Sequence, residues 1–224
     1  RLSSVTDVRL KDGDRQRWRG GASVGLLAAR VHAEGPVERG RSSFNAAARR
    51  SLLDAALFPI YNALSKSDEE ETRAGYHFTD AVAKFSRRME DESTLSAVFF
   101  WGDDVLRFRK REGEYDGGYG DVKREWLDGR WGNLAAALRW EKPLGTRWHG
   151  TFFAAYHRYR VSASRKQVLF RRQAGEEDRW RLDFGSGQRE WTFRADFDWV
   201  AGRWNRLRAG AAFVDHHIVP ETRS

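Results

Sequence analysis

Trp191-Thr192-Phe193-Arg194-Ala195-Asp196-Phe197-Asp198-Trp199 decides how this chain folds, because every odd position is apolar or aromatic and every even one is polar or charged. A period of two belongs to a β-strand with one oily face and one wet face. The oily face begins and ends in Trp, as when aromatic rings mark the two interfaces of a bilayer. Slipping the strand by one residue would carry Arg194, Asp196 and Asp198 into the apolar layer, at about 2 to 4 kcal/mol for an Arg at a bilayer midplane and less for each Asp. That penalty sets the register.

The pattern recurs along the chain. Leu95, Ala97, Phe99 and Trp101 alternate with Thr94, Ser96, Val98 and Phe100, and Leu134, Ala136, Leu138 and Trp140 with Asn133, Ala135, Ala137 and Arg139. Trp148, Gly150, Phe152, Ala154 and Tyr156 form a further stripe, and Leu207, Ala209, Ala211 and Phe213 another. A membrane-crossing strand needs only about 9 to 11 residues, so each segment is a weak signal and repetition carries the weight.

Composition narrows the class. The 224 residues are 40% hydrophobic and 32% charged, with a mean hydropathy of -0.73. No apolar run approaches the roughly 18 residues of a transmembrane helix, a test that alternating strands escape. The absence of Cys excludes a disulfide scaffold and any Cys-based metal site or nucleophile. A net charge of +8 and a pI near 10.0 invite a nucleic-acid reading, but Arg is scattered through strands and turns instead of gathered in a patch, so no nucleic-acid partner is expected. Ten Trp and fourteen Phe suit lipid-facing girdles better than base stacking.

Strands are expected over 17–27, 29–37, 42–57, 76–89, 93–109, 130–142, 147–162, 189–200 and 205–218. Short turns separate them at Glu38-Arg39-Gly40-Arg41, Glu90-Asp91-Glu92, Pro143-Leu144-Gly145-Thr146 and Ala201-Gly202-Arg203. Long connections, rich in charge and Gly, are expected over 59–75, 113–129 and 164–188. Short turns on one rim and long loops on the other describe an outer-membrane barrel, the short turns facing the periplasm. Single-chain bacterial barrels have an even strand count, so about nine strands and a start inside a structured segment lead us to expect part of a longer chain.

Two segments carry a more specific resemblance. Arg1-Leu2-Ser3-Ser4-Val5-Thr6-Asp7-Val8-Arg9-Leu10-Lys11-Asp12-Gly13 resembles the "GGRLSSVVDVRTKDG"-like end of the plug domain in TonB-dependent outer-membrane receptors. The stretch from Gly21 to Val37, with Glu34-Gly35-Pro36, resembles the first barrel hairpin of receptors typical of Bacteroidota, and Ser42-Ser43-Phe44-Asn45-Ala46-Ala47-Ala48-Arg49-Arg50-Ser51-Leu52-Leu53-Asp54 is similar to their "SSFIVSARRTYLD" stretch. The match covers about the first quarter of the chain. It implies residues 1–13 as the end of a plug and 14–224 as the N-terminal part of a transmembrane barrel, about nine strands of a wall of about 22. It also implies energised uptake of a scarce, bulky nutrient of the siderophore, cobalamin or glycan class, with TonB acting through a plug or TonB box outside this chain, and outer-membrane lipid as the surroundings.

Trp140, Trp148, Trp191, Phe193, Phe197 and Trp199 are expected to face lipid, and Arg139, Arg194, Asp196, Asp198, Arg206 and Arg208 to face the lumen, lining a solute path or pairing with one another and the plug. The pair His216-His217 points to opposite faces of a strand and cannot ligate one ion without distortion. Asp68-Glu69-Glu70-Glu71 and Glu176-Glu177-Asp178 read as solvated acidic loops before they read as Ca²⁺ ligands. Gly117-Gly118-Tyr119-Gly120 lacks the strand and helix context of a phosphate loop, no enzymatic motif is present, and no cofactor is expected. The competing reading is a soluble β-rich carbohydrate-binding module whose exposed Trp stack on sugars.

Overall fold

A computed structural model describes residues 10–67, 70–113, 121–171 and 174–223. The alternating segments form one nine-stranded sheet in which each strand pairs antiparallel with its neighbour in sequence. The strands are β1 (Arg19–Val24), β2 (Ala28–Glu38), β3 (Ser42–Ser51), β4 (Glu70–Arg88), β5 (Thr94–Gly113), β6 (Val122–Pro143), β7 (Trp148–Arg171), β8 (Glu176–Val200) and β9 (Arg206–Arg223). The first and last strands do not pair with each other, so the sheet is open. No helix among the described residues is long and apolar enough to cross a membrane.

The expected strands are all present, but the third is shorter than expected and β4 to β9 run longer, for physical reasons. The third expected strand, 42–57, ends at Ser51 and continues as helices α1 (Leu53–Ala56) and α2 (Phe58–Leu64). Leu52-Leu53-Asp54-Ala55-Ala56-Leu57 has no period of two, Asp54 lies in the first turn of α1, and Pro59 fits the first turn of α2, where a missing N–H costs nothing. Asn62 ties α2 to β4, its amide donating to the Ala74 carbonyl at 3.1 Å and accepting from the Ala74 N–H at 2.7 Å.

The long connections expected over 59–75, 113–129 and 164–188 are largely paired strand. β4 is already hydrogen-bonded from Glu70, β6 from Val122, and β7 and β8 pair out to Arg171 and Glu176. The alternation persists there with its sense reversed. On β8, Trp180, Leu182 and Phe184 share the face of Arg194 and Asp196, whereas Arg179, Arg181 and Asp183 share the face of Trp191 and Phe193.

The short turns lie where expected. Gly40 and Gly145 adopt φ of 76° and 91°, the left-handed region that glycine enters without a Cβ penalty. At the β4–β5 turn Glu92 takes that role with φ of 60°, and Asp91 organises it. The Asp91 carboxylate accepts from the Ser93 amide at 3.1 Å and lies 3.1 Å from Lys142 Nζ on β6. The Ser93 hydroxyl and amide and the Lys142 ammonium hold the Asp91 carboxyl down at about 2, against an ordinary 3.8. A depressed pKa gives stability that is present above the ordinary value and is lost as pH falls toward about 2. We expect the stability difference between wild type and Asp91→Asn, followed by urea unfolding, to be constant above about pH 4 and to shrink below it. A difference that ignores pH would remove Asp91 from the turn's energetics.

Candidate functional site

Pairing places every stripe of the sequence on one face. Across β5 to β9, Phe99 lies opposite Ala136, Ala136 opposite Tyr156, Tyr156 opposite Trp191 and Trp191 opposite Asp215. Nearer the short turns, Leu95 lies opposite Trp140, Trp140 opposite Phe152, Phe152 opposite Ala195 and Ala195 opposite Ala211. The belt continues through Phe85, Phe44 and Gly35 on β4, β3 and β2. All the residues expected to face lipid, Trp140, Trp148, Trp191, Phe193, Phe197 and Trp199, lie in it.

Rings concentrate at its two margins. Trp148 and Trp199 stack at 5.2 Å with planes 9° apart on the short-turn side, where Trp140 and Phe152 also meet at 5.6 Å. At the far margin Tyr156 and Trp191 are 4.7 Å apart, with Phe99 and Ala136 in line on β5 and β6, and Trp101 one row further on. From Trp191 to Trp199 the strand advances about 26 Å at about 3.3 Å per residue, and tilting the strand reduces that height toward the roughly 25 Å of an outer-membrane apolar band.

Among the described residues no element covers this belt. Val168 is the one buried hydrophobic side chain among the described residues, and Trp148, Trp191 and Phe193 are each close to half exposed. A sandwich or a soluble barrel would bury such a face against a second layer. Past the Tyr156 and Trp191 row the same face turns charged, carrying Arg158 and Arg189 in the row of Trp101 and Leu134, and Arg107, Arg109, Arg130 and Arg160 further on. The apolar surface is thus limited in height as well as in face.

The opposite face is polar and largely self-neutralised. Arg194 Nε lies 2.7 Å from Asp196, and Arg208 Nε 2.7 Å and Arg206 Nε 3.6 Å from Asp198. Arg139 pairs with Glu141 at 2.6 Å. All six residues expected on the lumen side therefore share this face and form ion pairs within it. His216 joins Glu190 here at 2.8 Å, while His217 lies on the belt face, so the two imidazoles diverge. No cluster suited to a metal occurs among the described residues. In the acidic runs, Glu70 meets Lys110 at 3.2 Å, Glu71 meets Arg73 at 2.6 Å, and Asp178 meets Arg171 at 3.0 Å, as solvated ion pairs. Asp68, Glu69 and the run 117–120 lie outside the described residues.

One contact on the polar face could not be read from strand patterning. Residues 10–13 run across β2, β3 and β4 there. Lys84 donates to the Leu10 carbonyl at 2.7 Å and pairs with Asp12 at 2.7 Å, Lys11 pairs with Glu34 at 3.3 Å, and the Asn45 amide donates to the Lys11 carbonyl at 3.3 Å. Gly13 is buried so closely that a Cβ would stand 1.9 Å from the Phe44 carbonyl oxygen. Beside this contact Ser43 and Ser86 are fully buried and share a hydrogen bond of 3.4 Å. The Gly that closes the plug-like motif is the signal that sequence offered, since only glycine lets two backbones come so near.

No protein-family model matches this chain, and no curated protein matches it.

Proposed function

We propose that this chain forms part of the wall of an outer-membrane β-barrel of the TonB-dependent receptor type, which takes up a scarce, bulky nutrient under energy transmitted from TonB. The observation that carries the membrane reading is the uncovered apolar belt, bounded by rings on both margins and replaced by Arg beyond one of them. Burying such a belt gains about 25 cal/mol for each Å² removed from water, and the described residues supply no layer to gain it. Lipid supplies one. The receptor type is supported by the plug-like motif and by residues 10–13, which lie against the polar face as a segment entering the lumen would.

In lipid the open edges of β1 and β9 need partners, since an unpaired backbone group there costs several kcal/mol. We assign those partners to further strands of a barrel of about 22. The paired charges of the polar face, Arg194 with Asp196 and Arg208 with Asp198, are then lumen wall, and the nutrient is recognised by loops and plug contacts. Siderophores, cobalamin and glycans are the candidate classes.

Detergent separates this reading from a soluble carbohydrate-binding module. The full-length protein should stay monodisperse only with detergent and should migrate as a compact, heat-modifiable band after folding into lipid vesicles. Monodisperse behaviour in plain buffer, together with binding to a polysaccharide, would replace the barrel by the module.

A further inference from the structure

One step past the Tyr156 and Trp191 rings, Arg158 on β7 stands directly opposite Arg189 on β8. Arg160, next on that face of β7, has Gly187 as its neighbour on β8 and Gly132 as its neighbour on β6. Those glycines present no side chain, so the guanidiniums border a hollow of about 480 Å³. A Cβ at Gly187 would find only ordinary contact, 3.5 Å from the Tyr159 carbonyl, so tight packing is not the reason for glycine there.

Among the described side chains the charges in this hollow are left unbalanced. Arg130 on its border is neutralised, with Nε 2.8 Å from Asp103. Among the described residues the side chains of Arg158, Arg160 and Arg189 make neither an ion pair nor a hydrogen bond. Asp215 and His217 on β9 face Trp191 and Arg189 across the strand pair, yet neither engages a guanidinium. This contrasts with Arg139, Arg194 and Arg208 on the other face, each of which holds a carboxylate. Like charges directly opposite each other destabilise a sheet, and Arg forks match the oxygens of a phosphate.

Height and face name the source of that phosphate. The hollow lies on the belt face, about 7 Å along the strand beyond the ring margin at about 3.3 Å per residue. Lipid headgroups stand at that level when rings mark the interface. We propose that Arg158, Arg160 and Arg189 bind the phosphate of a membrane-lipid headgroup, whose chains lie on Tyr156, Trp191 and Phe193. The proposal rests on the barrel reading.

The test uses the full-length protein in nonionic detergent, with folding first checked by heat-modifiable migration. Native mass spectrometry then reads retention of phosphatidic acid against diacylglycerol of the same chain length, with inorganic phosphate as competitor. Wild type should retain the phosphatidic acid and not the diacylglycerol, and the Arg158→Gln, Arg189→Gln double variant should retain about tenfold less, as expected for lost charge-assisted hydrogen bonds. Without lipid the double variant should melt no lower than wild type, because the repulsion is gone; with phosphatidic acid the order should reverse. Should that variant fail to fold, Arg160→Gln and the wild-type lipid preference decide. Equal retention of the two lipids by folded wild type, or equal retention of phosphatidic acid by folded variant and wild type, overturns the site and leaves the barrel standing. Displacement of phosphatidic acid by an equal concentration of inorganic phosphate overturns the lipid as its source. A protein that needs no detergent overturns the barrel, and this site with it.

Discussion

Phe193→Arg should abolish insertion of the full-length protein into lipid vesicles, while Thr192→Arg, one residue away, should leave insertion intact. Phe193 lies in the belt, 47% exposed, stacked on Trp191 at 6.2 Å with planes 3° apart, and opposite Ala154 and Phe213. An Arg there would stand between the two ring margins, where it costs about 2 to 4 kcal/mol if the belt lies in hydrocarbon. Thr192 is on the polar face, donating to Glu190 at 3.2 Å, and an Arg in its place would stand in a wet row between Glu190 and Arg194, the latter already paired with Asp196. The comparison is internal, because both variants add the same charge to the same strand. Equal damage from the two in a vesicle-folding assay would mean that the faces are not lipid and lumen.

Impermeant maleimide on intact cells should label a Cys at Ala174 and leave one at Thr146 or Gly202 unlabelled. Ala174 sits in the turn beyond the extended β7–β8 hairpin, whereas Thr146 and Gly202 lie in the short turns at the other rim. These positions are exposed, and none carries the left-handed φ of Gly145 or Gly175, at which a Cys would be strained. The chain has no Cys of its own, so this segment adds no background. The effect is close to all or none, since a bilayer separates the two rims. Labelling at Thr146 with protection at Ala174 would invert the protein in the membrane, and labelling at all three would favour the soluble module.

Strand order, antiparallel pairing with sequence neighbours and the division of residues between faces were legible in the chain itself. Period two assigns each side chain to a face, and short polar turns force neighbours to pair. Trp191 to Trp199 therefore announced both a strand and its two surfaces, and His216-His217 announced that its rings would part. The length of the hairpins was less legible. Past Trp101, Tyr156 and Trp191 the alternation reverses its sense, so Trp180, Leu182 and Phe184 carry no stripe continuous with the belt, and charge made strand resemble loop. The helical turn after Ser51 was hidden for a related reason, since an apolar run without alternation suits strand or helix until Pro59 and the hydrogen bonds to Ala74 decide.

What only the tertiary structure decided is which residues of distant strands meet. Arg158 faces Arg189 because the β7–β8 register sets them opposite across an interval of chain that no local pattern measures. Gly13 touches Phe44, and Lys84 reaches Leu10, because residues 10–13 cross three strands on the polar face. Alternation is a property of one strand read along its own length; register and close approach depend on the free energy of the whole sheet, and so appear only once the strands are side by side.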